Sequence, residues 1–372
     1  MVFPRRRDDW KRPHQGIKCH QDKNTPMKAK ALSAVILSVA LLLHISARAQ
    51  ESSAMYNSEE VTFTNTSDGA VLSGTVLYPA GVEKPAVLLM VSGSGLQDRN
   101  EEILGHKPFK TIAEYLASKG IATLRYDDRS FGKSTGSIEG ATTRTFMQDA
   151  LAGVDFLRSL GKFSKVGILG HSEGGTITFL IAAEGKVDFI VSMAGGAVQG
   201  KESVLTQNYN AMKAQGATSD QIGEILDALE VVFDKLIASP EDEPVSVSLD
   251  RIASESENPS LAQTLAMQLG NDSNGKWYKY FLGLDPSEAI SRISCPVMAI
   301  NGTKDFQVDC KENLGNIRKK LPQSDKNLIK SYEGLNHLFQ NCSTGFPTEY
   351  ALIKEDIAEQ VLSDIATWIA SL

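Results

Sequence analysis

Long apolar runs are scarce in this chain of 372 residues, and so are cysteine and histidine, with four and six copies. The most extended apolar stretch, residues 31–43, has thirteen residues. That is too short to cross a hydrocarbon core of about 30 Å as a helix. Lys28 and Lys30 precede it and Ala47-Arg48-Ala49 follows it, the three-part layout of a secretory signal. The expected leader starts at Met27 and is cleaved after Ala49. The basic residues 1–26 read as an upstream extension. The remainder is expected to be exported, to a periplasm or the exterior, with no stable membrane insertion.

Positive charge is the next shortage. Residues 1–49 carry 10 Lys and Arg and 3 Asp and Glu, so their removal leaves 28 basic against 42 acidic residues, a net of −14. Such a surface repels phosphate backbones, which argues against nucleic acid as a partner, and it suits a highly anionic substrate poorly. Beyond residue 49 the cysteines are Cys295, Cys310 and Cys342, and the histidines are His106, His171 and His337. No internal repeat or extended low-complexity segment is evident.

What is present is globular: 42% hydrophobic and 22% charged residues. Two β-type stretches, 61–64 and 71–78, open the pattern. Strand-like runs then alternate with helical spacing: strand 86–91, helix 109–118, strand 121–126, helix 145–160, strand 166–169, helix 174–183 and strand 189–193. The alternation resumes with strand 297–300, helix 311–321, strand 327–331 and helix 353–369. This predicts an α/β fold with a mostly parallel sheet covered by helices on both faces. Its core is expected in two parts, 50–199 and 293–372. Residues 200–292 interrupt it with amphipathic helices, such as 219–237 with Ile222, Ile225, Leu226, Leu229, Val232 and Phe233 on one face. An insertion there predicts a helical lid over the strand C-termini, where such sheets bind ligands.

Two stretches carry Gly-x-Ser-x-Gly: RSFGKSTGS at 129–137 and KVGILGHSEGGT at 165–176. A nucleophile elbow needs a strand leading in and a helix leading out. Ser134 has neither. It follows the polar Tyr126-Asp127-Asp128-Arg129-Ser130 and precedes the loop-like SIEGATT. A phosphate-binding loop would need glycine where Asp127 stands. Ser172 has both, between the apolar run 166–169 and the helical run from Gly174 onward.

A serine hydroxyl needs a base. His171 sits inside the elbow, pointing away from Ser172, and His106 precedes it. His337, in GLNHLF after the last strand, fits the order serine, acid, histidine. The acid should follow a strand between them, which singles out Asp305 in NGTKD, with Asp309 as the alternative. Its role would be to fix the tautomer of His337. An oxyanion hole is expected from the backbone N–H of Glu173 and of the loop Ser92-Gly93-Ser94-Gly95, with Ser94 the first choice and Gly95 the second.

Taken together, GHSEGG, NGTKDFQVD, GLNHLF, SGSGLQDRN and RYDDRSFGKS resemble the α/β-hydrolase superfamily, in particular secreted bacterial carboxylesterases grouped with serine aminopeptidase-like hydrolases. The resemblance covers about residues 60–370, including the lid segment KWYKYFLGLDP. It implies a triad of Ser172, Asp305 and His337, an acyl-serine intermediate, and neither a metal nor an organic cofactor. It also implies that RYDDRSFGKS is a structural loop. Cys310 and Cys342 each lie five residues beyond a triad member, so a disulfide joining the two loops is an expectation for an exported protein. Cys295 reads as an unpaired small hydrophobe. Trp277, Tyr278, Tyr280 and Phe281 would line the substrate pocket or pack within the lid. The expected activity is hydrolysis of small, fairly apolar carboxylic esters. The alternatives are a serine aminopeptidase, a thioesterase, and a non-catalytic binding protein on the same fold.

Overall fold

The computed structural model describes residues 55–256, 259–269 and 272–372, so the expected signal segment lies outside it. Among the described residues eight strands form one sheet in the order β1-β2-β4-β3-β5-β6-β7-β8. β1 (Tyr56–Thr64) and β2 (Val71–Pro79) form an antiparallel hairpin. β2 also runs antiparallel to β4 (Ala122–Tyr126). The remaining pairings are parallel and run through β3 (Val87–Val91), β5 (Val166–His171), β6 (Ile190–Met193), β7 (Val297–Gly302) and β8 (Leu328–Tyr332). This is the mostly parallel sheet that the alternating pattern predicts.

Three helices lie between the early strands: α1 (Pro108–Ser118), α2 (Thr143–Ser159) and α3 (Glu173–Ala183). The insertion contributes α4 (Gly200–Ala214), α5 (Ser219–Ala238), α6 (Val245–Glu255), α7 (Pro259–Leu269), α8 (Asp272–Gly283) and a short α9 (Ser287–Ser291). After it come α10 (Cys310–Lys320) and α11 (Glu359–Ala370).

β3 shows why the strands are apolar throughout. Val87, Leu89 and Val91 join a core with residues of α2, α3 and α10, while Leu88 and Met90 join a second core with α1 and α11. Side chains alternate between faces along a strand. With helices on both faces, every position must be apolar. The insertion has its own core, built around Phe233, Leu236, Leu249 and Leu282. On α5, Ile222, Leu229, Val232 and Phe233 are buried as the spacing predicts, but Ile225 is 43% exposed. Among the described residues no helix is long and apolar enough to cross a membrane.

Two element boundaries differ from the sequence pattern. β1 begins at Tyr56 because its exposed residues, Asn57–Glu60, pair with β2 along a sheet edge and carry no apolar signal. The last helix begins at Glu359 rather than 353, because the preceding residues brace a loop instead of coiling. The Glu355 carbonyl accepts from Gln340 Nε2, and its carboxylate accepts the Asn341 N–H. The Asp356 carboxylate accepts from Thr111 and meets His106 Nδ1 at 3.1 Å.

Candidate active site

β5 delivers the chain to Ser172 and α3 carries it away. Ser172 has φ 54° and ψ −119°, a backbone conformation that costs an L-residue energy and is found where a site over-determines it. The flanking glycines explain how the turn can be so tight. A Cβ on Gly170 would stand 2.0 Å from the Gly174 carbonyl oxygen, and one on Gly174 would stand 2.1 Å from the Val91 carbonyl oxygen. The Ser172 N–H donates to Met193 O at 2.9 Å, which ties the turn to β6.

The other Gly-x-Ser-x-Gly serves a different purpose. Ser134 is buried, donates to Asp127 O at 2.7 Å and accepts the Ser73 N–H at 2.9 Å. Its hydroxyl holds a loop onto β2. That loop also supports the chain opposite the elbow. The Asp128 carboxylate accepts from Ser92 Oγ and the Gln97 N–H, while Asp127 holds the Arg99 guanidinium with both oxygens.

Asp305, beyond the end of β7, and His337, beyond the end of β8, meet at 2.7 Å through Oδ2 and Nδ1, and both are buried. The other Asp305 oxygen accepts the N–H groups of Gln307 and Val308 at 2.8 and 2.9 Å, so the carboxylate is fixed in place. With Nδ1–H donated to Asp305, Nε2 is the nitrogen left to serve the serine. Asp309, the alternative acid, caps α10 by accepting the Glu312 N–H.

The acid and histidine loops do approach each other, but not through a disulfide. Cys310 and Cys342 are both free thiols. Cys342 Sγ lies 3.3 Å from Gly334 O, and Cys310, the first residue of α10, packs against the core, where burial pushes its thiol up to about 11. Hydrogen bonds join the loops instead. Lys304 Nζ donates to the carbonyls of Cys342 and Ser343, its N–H donates to Leu335 O, and Thr303 Oγ1 accepts the Gly334 N–H. The contact is close: a Cβ on Gly302 would fall 2.2 Å from Leu335 O.

Ser172 and His337 line one cavity of about 310 Å³, with Glu173 and Ser94 at its wall. Glu173 opens α3, so its N–H has no acceptor within the helix and is free for an oxyanion. Ser94 lines this cavity, whereas Gly95 lines a small separate space beside Asp128 and Phe146. Trp277, Tyr278 and Phe281 of α8 form part of the cavity wall, with Trp277 stacked on Phe281 at 5.3 Å. Tyr280 does not. It lines a second opening of about 960 Å³ between the insertion and the loop around Gly140 and Thr142. The Glu173 carboxylate accepts from Trp277 Nε1 at 2.9 Å and from Thr143 Oγ1 at 2.6 Å, tying the insertion to the residue after Ser172.

The sequence reading missed two features. Gln207 of α4 reaches Gln307 O from the insertion and lines the cavity. Glu101, with φ 53°, is buried against His171 at 2.9 Å. Only the SGSGLQDRNEE motif, which brings an acidic residue close to the expected oxyanion loop, could have hinted at it.

Comparison with known proteins agrees with this fold. Esterase EstD of Thermotoga maritima is 31% identical over 304 residues, 80% of this chain. This chain spans 65% of that esterase's length. In structure, a hypothetical protein of Pseudomonas aeruginosa aligns over 86% of this chain and 94% of its own, with TM-score 0.52 at 16% identity. An esterase of Pyrococcus furiosus aligns over 85% and 91%, with TM-score 0.51 at 16% identity. At those identities the likeness shows the α/β-hydrolase fold. A family model described as serine aminopeptidase, S33, matches residues 106–341, well over half of the chain, and with the fold above it the protein belongs to this family of the α/β-hydrolase superfamily.

Proposed function

We propose that the protein is an exported serine esterase for small, fairly apolar carboxylic esters, acting through an acyl-serine intermediate. One observation carries the reading. A serine on a strained elbow opens into the same cavity as a histidine held at Nδ1 by a buried aspartate. Ser172 Oγ attacks the ester carbonyl as His337 Nε2 takes its proton. The developing oxyanion is met by the N–H groups of Glu173 and Ser94, and each such donor contributes about 10²–10³ in rate. His337 returns the proton to the departing alkoxide, so the alcohol leaves. Water then loses a proton to the same nitrogen and attacks the acyl carbon; the bond to Ser172 Oγ breaks as His337 returns that proton to Oγ, and the acid leaves. Asp305 keeps His337 in the tautomer that permits both transfers.

The cavity favours an ester over a peptide with a free amine. Its two carboxylates are Glu101, paired with His171, and Glu173, committed to Thr143 and Trp277. Neither is a free counter-charge for an ammonium group. Export rests on the layout of the Met27–Ala49 segment.

The test is hydrolysis of p-nitrophenyl esters of increasing chain length, beside amino-acid p-nitroanilides, by wild type and Ser172→Ala. Ester turnover that vanishes in the variant is expected. Anilide turnover exceeding ester turnover would move the reading to a peptidase, and turnover of neither would remove it.

A further inference from the structure

The elbow histidine is buried and takes no part in the mechanism above, yet it contacts both Glu101 and His337. His171 Nδ1 lies 2.9 Å from Glu101 Oε1, and its Nε2 lies 2.9 Å from the backbone oxygen of His337. Glu101 Oε1 also accepts the Gly93 N–H at 2.8 Å, one residue before the oxyanion donor Ser94. The second Glu101 oxygen is buried with no protein partner among the described residues. Both partners of the ring are acceptors. A neutral imidazole carries a hydrogen on one nitrogen only, so with Glu101 as the carboxylate, satisfying both contacts requires the doubly protonated ring.

We propose that His171, as an imidazolium, and Glu101 form a charged positioning pair that sets the oxyanion loop and the His337 backbone relative to Ser172. The pair spans three segments that are remote in sequence, and its centre is the residue preceding the nucleophile. A buried ion pair is a poor source of stability against an apolar replacement, because both charges lose their water. Its persistence beside a nucleophile is explained by what it positions. Loss of the ring proton leaves either Glu101 or the His337 carbonyl facing a nitrogen lone pair. One of the two loops then shifts, and misplacement of about 1 Å at a reacting group costs about 10²-fold in rate.

The charged and titratable groups around the ring agree with this. Burial by itself would pull the His171 imidazolium below its ordinary value, but the charge and hydrogen bond of Glu101, the His337 carbonyl and the charge of Asp305 together hold it above. The His337 ring lies 4.7 Å away, centroid to centroid. The folded value is raised, so the pair is intact below the ordinary histidine range and is lost as pH rises through the folded value.

The proposal rests on Ser172 and His337 acting as nucleophile and base, and two measurements separate its failure from theirs. The first is the pH profile of kcat for a short p-nitrophenyl ester with wild type, H171Q and E101Q. Wild type should lose activity on an alkaline limb. That limb should move to lower pH in E101Q, which lacks the holding charge. It should vanish in H171Q, with kcat lower by about 10- to 100-fold and KM within about threefold. The second is the ¹⁵N spectrum of histidine-labelled full chain, assigned with single His→Gln variants, in which His171 should carry hydrogen on both nitrogens at neutral pH. A singly protonated His171 there, or H171Q with wild-type kcat and an unchanged alkaline limb, overturns the proposal. If either variant fails to fold, or wild type hydrolyses no ester, the wild-type spectrum decides the matter alone.

Discussion

The two Gly-x-Ser-x-Gly stretches share a pattern and nothing else. Around Ser134, both glycines adopt left-handed conformations, with φ 57° at Gly132 and 93° at Gly136, and the serine hydroxyl has a donor and an acceptor within the fold. Around Ser172, the serine takes the positive φ, and the glycines are there because neighbouring backbone leaves no room for a Cβ. The next residue differs too. Thr135 Oγ1 accepts the Val71 N–H and fastens a loop to a strand, whereas Glu173 fastens the insertion's Trp277 to the elbow. Glycine thus serves left-handed backbone in the first stretch, where a Cβ would also meet the side chains of Asp127 and Ala70, and close approach to backbone in the second. A pattern of residue types acquires chemistry only from what it is packed against.

The sharpest way to test that difference is to disturb what faces Ser172. Asp305→Asn preserves the shape of the acid loop but presents the wrong hydrogen-bonding partner to His337 Nδ1, and kcat for esters should fall about 10⁴-fold with the fold intact. Gly174→Ala forces a Cβ onto Val91 O and should destabilise the protein by about 3 kcal/mol or more, read by denaturant unfolding. Trp277→Phe keeps the stacked ring and removes the indole donor to Glu173. It should raise KM by about 3- to 10-fold, most for the longer acyl chains, while leaving kcat within about threefold. Ser134→Ala should leave kcat and KM within about twofold and lower stability by about 1–3 kcal/mol, because the buried Ser73 N–H loses its acceptor.

The sheet was legible because strands covered on both faces, such as Val87–Val91, have no polar position to blur the signal. The elbow was legible because its glycines answer to local backbone crowding. His337 and Asp305 could be reached from strand ends and from the scarcity of histidine. The disulfide expectation used correct proximity but assigned it to the wrong atoms: the loops do meet, through Lys304 and backbone carbonyls, while Cys310 turns into the core. Tyr280 shared a segment with three cavity aromatics and faces a different opening. The His171–Glu101 pair was hidden for a physical reason. Its partners are 70 and 166 positions apart in sequence, and the non-glycine positive φ angles at Glu101 and Phe339 are imposed by tertiary packing and not by local preference.

The central claim is that Ser172 alone of the two candidate serines is an activated nucleophile. It is tested most directly by treating the folded protein with a fluorophosphonate and locating the adduct by peptide mass spectrometry. The account predicts one phosphonylated site, Ser172, that disappears when the protein is denatured before treatment or when His337 is replaced by glutamine. An unlabelled protein, or an adduct on Ser134, would contradict it.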